Sequence, residues 1–435
     1  MDNLAEVLLW GKRVGALAYD PDTGLSTFEY APEWREQGLE IAPLRMPLSS
    51  RKYQFPELQN STYRGLPAVF ADSLPDAFGN AVIDDWLARQ GRDPASFSPL
   101  ERLLYTGARG MGALEFAPPS SGENKESSRV ELDTLVKLAQ QVLNERAEVS
   151  KELLSKEGDA DAMNAILQVG TSAGGARAKA LVAINAERSE IRSGQVDAPE
   201  GFEHYLLKLD GVQERNIDTE TFGDPRGFGR MEYAYYLMAV DAGLTMSPSE
   251  LLLEGERAHF LTKRFDRSGN RKHHYVSLCA MDHADYKKPG SYSYEQLLST
   301  ARKLRLPRAD AIEIYRRMVF NVVARNHDDH SKNFGFLLNS PNSDWRLSPA
   351  FDVAYSYKPG SPWVNSHQLS ANGKRDDFTR ADLLKIANLI NNFREAEGII
   401  EQVIVTVSKW REYAEEAGVS SELRERIQGN LCLGV

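Results

Sequence analysis

Eight consecutive residues, Asn326-His327-Asp328-Asp329-His330-Ser331-Lys332-Asn333, bring together two amides, two imidazoles, two carboxylates, a hydroxyl and an amine. Phosphoryl transfer needs such parts. One carboxylate orients the attacking hydroxyl and takes its proton, while an amide oxygen and a second carboxylate hold the magnesium ions that bridge the nucleotide phosphates. Asp328 and Asn333 stand five positions apart, the offset that separates base from metal-binding asparagine in a kinase catalytic loop. Asp352 follows soon after and is the expected second metal ligand. The four ionisable residues His327 to His330 also suit a divalent-metal hydrolase. A solvated helix end whose polar groups cap backbone is the plainest alternative. Alone, the pattern names a chemistry and not a substrate.

The elements around this stretch have to position it. Ile312, Tyr315, Val319, Val322 and Val323 recur at helical spacing, which predicts a helix over 309–325 with one buried face and the polar cluster at its end. Phe334 to Leu338 and Trp345 to Leu347, separated by a turn-rich segment, read as two short strands that deliver Asp352. Upstream, Val7 to Trp10 and Val14 to Tyr19 flank a turn at Gly11-Lys12-Arg13 and predict a hairpin, with Phe28 and Tyr30 on a third strand. A helix follows Asp76 and stops near Gly91, and Ser98-Pro99-Leu100-Glu101 is a capping box that starts another. The glycine-rich stretch Thr106 to Gly112 runs into Ala113-Leu114-Glu115-Phe116 without opening a helix, so it reads as a turn needing positive backbone angles and not as a phosphate loop. Pro118 to Arg129 has linker composition, and Leu132 to Leu143 predicts an amphipathic helix that begins a second domain.

A length of 435 residues suggests two or three domains. The net charge of -10 argues against a chain that is mainly a nucleic-acid binder. Two cysteines, Cys279 and Cys432, have no metal-like spacing and imply no disulfide framework, so a reducing compartment fits. No signal peptide or membrane span is visible, and a cytoplasmic protein is expected.

Nucleotide-binding parts can be sought upstream of the polar loop. The segment Gly170 to Lys179 is rich in glycine and other small residues that let backbone amides approach phosphate oxygens, and Arg177 or Lys179 adds charge. It is no Walker loop, since no Gly-Lys-Ser or Gly-Lys-Thr opens a helix there. Lys208 lies in the strand His204 to Leu209 on the face opposite Tyr205, Leu207 and Leu209, where it is either an edge charge or a phosphate ligand. Glu232, on a following helix, is a candidate partner for it, although helical glutamates are usually solvated. The strand Ala258 to Thr262 ends at Lys263-Arg264-Phe265-Asp266-Arg267, where a two-lobed kinase would cross between lobes and backbone near Lys263 and Phe265 would meet the adenine edge.

Taken together, Leu74-Pro75-Asp76, the serine-containing glycine loop, Lys208, Arg264-Phe265-Asp266-Arg267, the loop Asp328 to Phe334 and Ser348-Pro349-Ala350-Phe351-Asp352 resemble the HipA-family serine/threonine protein kinases, the toxins of HipBA-type toxin-antitoxin modules. The resemblance covers nearly the whole chain. It implies an α+β, two-lobed protein-kinase-like (lipid-kinase-like) fold with an N-terminal α+β subdomain. The expected divisions are 1–120 for the subdomain, 130–265 for the small lobe and 266–435 for the mainly helical large lobe. By position, the resemblance makes Asp328 the catalytic base, Asn333 and Asp352 the Mg2+ ligands, and Lys208 a contact to the ATP phosphates. Gly174, Gly175, Ala176, Arg177, Ala178 and Lys179, then Lys263, Arg264 and Phe265, then His330, Ser331, Lys332 and Asn333, with Phe351 beside Asp352, would line the nucleotide. Ser172 matches the autophosphorylated loop serine, and Thr171 is a second acceptor. Two added negative charges there should repel ATP, an off switch. Asp329 is a neighbouring aspartate, but the offset to Asn333 favours Asp328.

The resemblance further implies a HipB-like helix-turn-helix antitoxin that binds operator DNA, with Lys374 and Arg375 at a basic segment near that DNA. Its protein targets include aminoacyl-tRNA synthetases, whose phosphorylation arrests growth. Two other functions compete with a kinase toxin. A small-molecule phosphotransferase would share Asp328, Asn333 and Asp352. A catalytically silent corepressor would keep the fold and bind its antitoxin without turning ATP over.

Overall fold

A computed structural model describes residues 3–89, 91–118, 127–147, 178–212 and 227–435. The chain divides into two compact units, Met1–Thr221 with Leu252–Tyr275, and Phe222–Leu251 with Val276–Val435.

The first unit opens with an antiparallel sheet ordered β3-β2-β1-β4, from β1 (Leu4–Leu9), β2 (Lys12–Asp20), β3 (Leu25–Tyr30) and β4 (Leu114–Ala117). The β1–β2 connection is the two-residue turn Trp10-Gly11, both left-handed at φ 51 and 73, the geometry that matches strand twist. Alternation along β1 buries Ala5, Val7 and Leu9 on one face. Gly15 of β2 has to be glycine: a Cβ there would lie 2.1 Å from the Glu29 carbonyl oxygen of β3. Two helices follow, α1 (Ala77–Arg89) and α2 (Pro99–Thr106), the second held by the expected capping box between Ser98 and Glu101.

The same unit carries a five-stranded sheet ordered β6-β5-β7-β9-β8, from β5 (Lys179–Asn185), β6 (Ile191–Ser193), β7 (Phe202–Lys208), β8 (Ser249–Glu254) and β9 (Arg257–Lys263). β5 is buried at every position from Ala180 to Ile184, and the face of Ala180, Val182 and Ile184 shares a core with Val82, Ile83 and Leu87 of α1 and Leu135, Val136 and Ala139 of α3 (Leu132–Ala147). A small ribbon, β10 (Arg267–Ser268) with β11 (Arg271–Lys272), follows β9.

The second unit is mainly helical. It contains α4 (Phe228–Asp241), α5 (Tyr294–Lys303), α6 (Arg308–Val323), α7 (Arg380–Ala387), α8 (Ala396–Ser408) and α9 (Trp410–Glu416), with a small sheet ordered β12-β13-β14 from β12 (His274–Ser277), β13 (Gly335–Leu338) and β14 (Arg346–Leu347). α6 is its centre. Tyr315, Val319, Val322 and Val323 are buried as the spacing predicts, Ile312 is only half-buried, and Ile314, Met318 and Phe320 on the other sides are buried too, so the helix is enclosed over its second half rather than along one face. Tyr235 of α4 donates its hydroxyl to the Ala324 carbonyl at 2.7 Å and pins the end of α6. No helix among the described residues is long and apolar enough to cross a membrane.

Candidate active site

The polar loop begins where α6 ends. Arg325 turns the chain with a left-handed backbone (φ 55), Asn326 bridges to Ser356 in parallel, and the His327 amide donates to the Ser356 carbonyl at 3.2 Å. Asn326 Nδ2 donates to Asn321 Oδ1 at 2.9 Å, and Asn321 Nδ2 to the Tyr294 hydroxyl at 3.0 Å, which ties the loop to α6 and α5.

The four ionisable residues then divide by alternation. His327 and Asp329 are buried inward, while Asp328 and His330 are only partly covered. Asp329 accepts from the Tyr294 hydroxyl at 2.7 Å and from the Gln368 amide at 2.7 Å, with His367 Nδ1 at 2.9 Å. Burial pushes its carboxyl up, but His367 and these donors outweigh that and hold it below the usual carboxylate range. The His327 ring packs on the His367 ring with centroids 4.1 Å apart, and burial together with that neighbour lowers its basicity. These two residues are structural, which removes half of the donor set a metal hydrolase would need.

Asp328 is in a different situation. Its side chain is 35 % exposed, open on one side and enclosed by protein on the others. That enclosure raises its pKa, and the charges of Asp352 and Asp329 add to the effect; His330 and the Trp363 hydrogen bond pull the other way without cancelling it. Trp363 Nε1 donates to Oδ1 at 3.0 Å, whereas His330 Nε2 at 3.7 Å is beyond hydrogen-bond reach.

Asn333 closes a short 3-10 turn, Ser331–Asn333, and donates Nδ2 to the Asp328 carbonyl at 2.8 Å. Its Oδ1 is left as an acceptor for a cation. Asp352 follows β14 in a left-handed conformation (φ 52), the kind of backbone cost that a fold tolerates where side-chain direction matters. The segment before it is anchored: Ala350 N–H donates to the Thr245 carbonyl at 2.7 Å, and Arg317 Nη2 of α6 to the Ser348 carbonyl at 2.7 Å. Asp328 feels the charge of Asp352, and with the amide oxygen of Asn333 these side chains offer hard oxygen donors of the kind that suit magnesium. Around them, Ser331 donates Oγ to the Ala284 carbonyl, Lys332 Nζ sits 5.1 Å from the Tyr286 ring centroid, the His330 ring is 5.4 Å from Tyr286, and Phe351 is half-buried.

The nucleotide candidates upstream are less uniform. Lys208 is half-buried at the end of β7, paired in register with Lys179 on β5 and Phe260 on β9, its Nζ 5.8 Å from the Phe260 ring. Lys179 is no loop residue: it begins β5, is buried, and has Nζ 3.5 Å from Asp76 Oδ2, while Ala178 before it is part of the core. Lys263 pairs at the surface with Glu203 at 3.1 Å, and the Phe265 ring packs 5.5 Å from that of Tyr275. Arg264 spends its backbone amide on the His204 carbonyl at 2.9 Å and its guanidinium on Asp266, with Nε to Oδ1 at 2.9 Å and Nη2 to Oδ2 at 2.7 Å. Thr171, Ser172, Gly174, Gly175, Ala176 and Arg177 lie outside the described residues.

Some expectations need correction. Glu232 is buried, where a helical glutamate is usually solvated. Lys374 and Arg375 are not loose charges: Lys374 Nζ reaches Asp382 Oδ2 at 2.7 Å, and Arg375 Nε donates to the His367 carbonyl at 2.6 Å. The glycine stretch before β4 is the expected turn, with Gly107 and Gly112 at φ 54 and 76. It also docks on Asp266: the Gly112 amide donates to Oδ2 at 2.8 Å, and Arg267 Nη1 donates to the Gly112 carbonyl at 2.9 Å. The Asp76–Lys179 pair and the Trp363–Asp328 bond carry no local signal in the sequence, and nothing in the Arg264-Phe265-Asp266-Arg267 motif foretells its docking on Gly112.

Family models match the chain twice, a HipA N-terminal domain over residues 5–117 and a HipA-like C-terminal domain over residues 171–411. Among solved structures, the fold is similar to a chain of the Shewanella oneidensis MR-1 toxin-antitoxin complex of HipA, HipB and operator DNA, with TM-score 0.65 and 14% identity, covering 98% of this chain and 94% of that one. A weaker likeness is to the Helicobacter pylori proinflammatory kinase CtkA, with TM-score 0.34 and 13% identity over 53% of this chain and 88% of that one. No curated protein matches the sequence. The C-terminal model alone spans more than half of the sequence, the fold is the α+β, kinase-like one, and the chain belongs to the HipA family.

Proposed function

We propose that the chain is an ATP-dependent serine/threonine protein kinase that acts as the toxin of a toxin-antitoxin module. The observation that carries this reading is the Asp328–Asn333–Asp352 arrangement: an amide fixed to the backbone of one carboxylate while a second carboxylate is felt by the first. ATP bound with magnesium would supply the phosphoryl group and the cation that bridges its phosphates. Asn333 Oδ1 and Asp352 then hold the cation, and Asp328 orients the acceptor hydroxyl and takes its proton. Lys208 serves the phosphates. Since the Arg264 amide is committed to the sheet, the adenine edge falls to the backbone of Lys263 and Phe265. His330, Ser331, Lys332 and Phe351 border the nucleotide, as do the small residues up to Lys179. On this reading 1–120 is an N-terminal subdomain, 130–265 the small lobe and 266–435 the large lobe.

The relative from Shewanella stands in a complex with HipB and operator DNA. By that likeness, the partner of this chain is a HipB-like antitoxin, DNA is met mainly through it, and Lys374 and Arg375 approach DNA only by leaving Asp382 and the His367 carbonyl. The acceptor is a cellular protein, with aminoacyl-tRNA synthetases the first to try, and the chain's own Ser172 or Thr171.

The test is to dephosphorylate the purified protein, incubate it with ATP and magnesium, and map phosphate by mass spectrometry beside Asp328→Asn. Phosphate at Ser172 or Thr171 in the wild type alone is the expected result. ATP binding without protein phosphate would favour a small-molecule phosphotransferase, and neither binding nor transfer a corepressor.

A further inference from the structure

The carboxylate of Asp328 receives one side-chain hydrogen bond among the described residues, from Trp363 Nε1 to Oδ1 at 3.0 Å. Among the described residues no second hydrogen bond holds its orientation. His330 Nε2 is 3.7 Å away, and Asn333 binds the Asp328 main-chain carbonyl rather than its side chain. The terminal torsion of an aspartate is soft, so a carboxylate without a fixed donor samples a broad range of directions.

The indole is fixed by its own loop. The Trp363 and Val364 amides donate to Ser361 Oγ at 3.1 and 3.2 Å, and the Gly360 amide donates to Asn365 Oδ1 at 2.8 Å. The Gln368 side-chain amide donates to the Trp363 carbonyl, while the Gln368 backbone amide holds Asp329 Oδ1 at 2.7 Å. His327 Nδ1 lies 3.2 Å from the Val364 carbonyl. The chain just after Trp363 is therefore stitched to both residues flanking Asp328, Val364 to His327 and Gln368 to Asp329.

We infer that Trp363 is a positioning residue for Asp328: its indole N–H occupies Oδ1 and turns Oδ2 toward the acceptor hydroxyl. This rests on the reading of Asp328 as the base. Aligning the accepting oxygen before the acceptor arrives lowers the orientational part of the barrier and leaves nucleotide affinity alone.

Two variants separate the hydrogen bond from the ring. Trp363→Phe removes the donor and part of the ring; 3-benzothienylalanine placed at position 363 replaces only the N–H by sulfur. Single-turnover transfer of labelled γ-phosphate to the protein itself is measured beside the KM for ATP. Both variants should transfer about tenfold more slowly, with the KM for ATP changed less than about twofold. In an Asp328→Asn background, Trp363→Phe should change the residual rate no further. A wild-type rate with benzothienylalanine overturns the inference, as does a loss that appears in KM and not in the transfer rate. If the wild-type protein binds ATP and transfers nothing, the kinase reading falls and this inference with it; wild-type transfer with indifferent variants removes the inference alone.

Discussion

Asp266 and Asp328 are the same side chain in opposite circumstances. Asp266 is fully buried between Arg264 and Arg267 and accepts the Gly112 amide as well. Burial alone would raise its pKa, but two guanidinium groups overwhelm that and hold the carboxyl far below its usual range. Asp328 is open on one side, has no formal cation bonded to it, and is pushed up by enclosure and by neighbouring carboxylates. A buried aspartate whose charge is answered within the protein builds structure. One whose charge is left for something else to answer is placed for chemistry.

The contrast can be broken most forcefully at Asp266. Asp266→Asn leaves two buried guanidinium groups short of a counter-charge and should cost about 3–5 kcal/mol of stability, read as a lower denaturant midpoint. Asp328→Asn should do the reverse: transfer falls about a thousandfold while the unfolding midpoint holds or rises, since a group disfavoured as an anion has been made neutral. A native midpoint for Asp266→Asn, or a collapsed one for Asp328→Asn, would erase the distinction.

A third test uses pH. His274 is fully buried, its Nε2–H donates to the Ile41 carbonyl at 2.8 Å, and burial lowers its pKa to about 4. The unfolded chain, with an ordinary histidine near 6.5, binds that proton first, so stability falls as pH drops from about 6.5 to about 4, by up to about 3 kcal/mol. His274→Gln should flatten this part of the stability profile. The smallest effect is expected at Lys374. Its partner Asp382 already accepts from the Thr379 amide at 2.9 Å in a helix cap, and the lysine is 42 % exposed, so Lys374→Ala should cost within about 1 kcal/mol and leave transfer unchanged.

What could be read from the sequence is local. The Trp10-Gly11 hairpin, the Ser98–Glu101 box and α6 each depend on residues a few positions apart, and so does the Asn333 bond to Asp328. Distance along the chain is what hid the rest. Gly112 and Asp266 are 154 positions apart, Trp363 and Asp328 are 35 apart, and no periodicity spans such gaps. Lys179 misled because glycine and basic residues before a strand resemble a phosphate loop, whereas the lysine itself had already entered β5 opposite Asp76. Glu232 is buried where a helical glutamate is ordinarily solvated, because the sequence says nothing of which neighbours will enclose it.

The alternation of His327 to His330 gives the loop something like a reading frame. His327 and Asp329 turn into the fold while Asp328 and His330 stay partly open, so a single-residue insertion or deletion between Asn326 and His330 would exchange the two sets wholesale. Substitution can adjust either role separately, but the spacing has to be inherited intact.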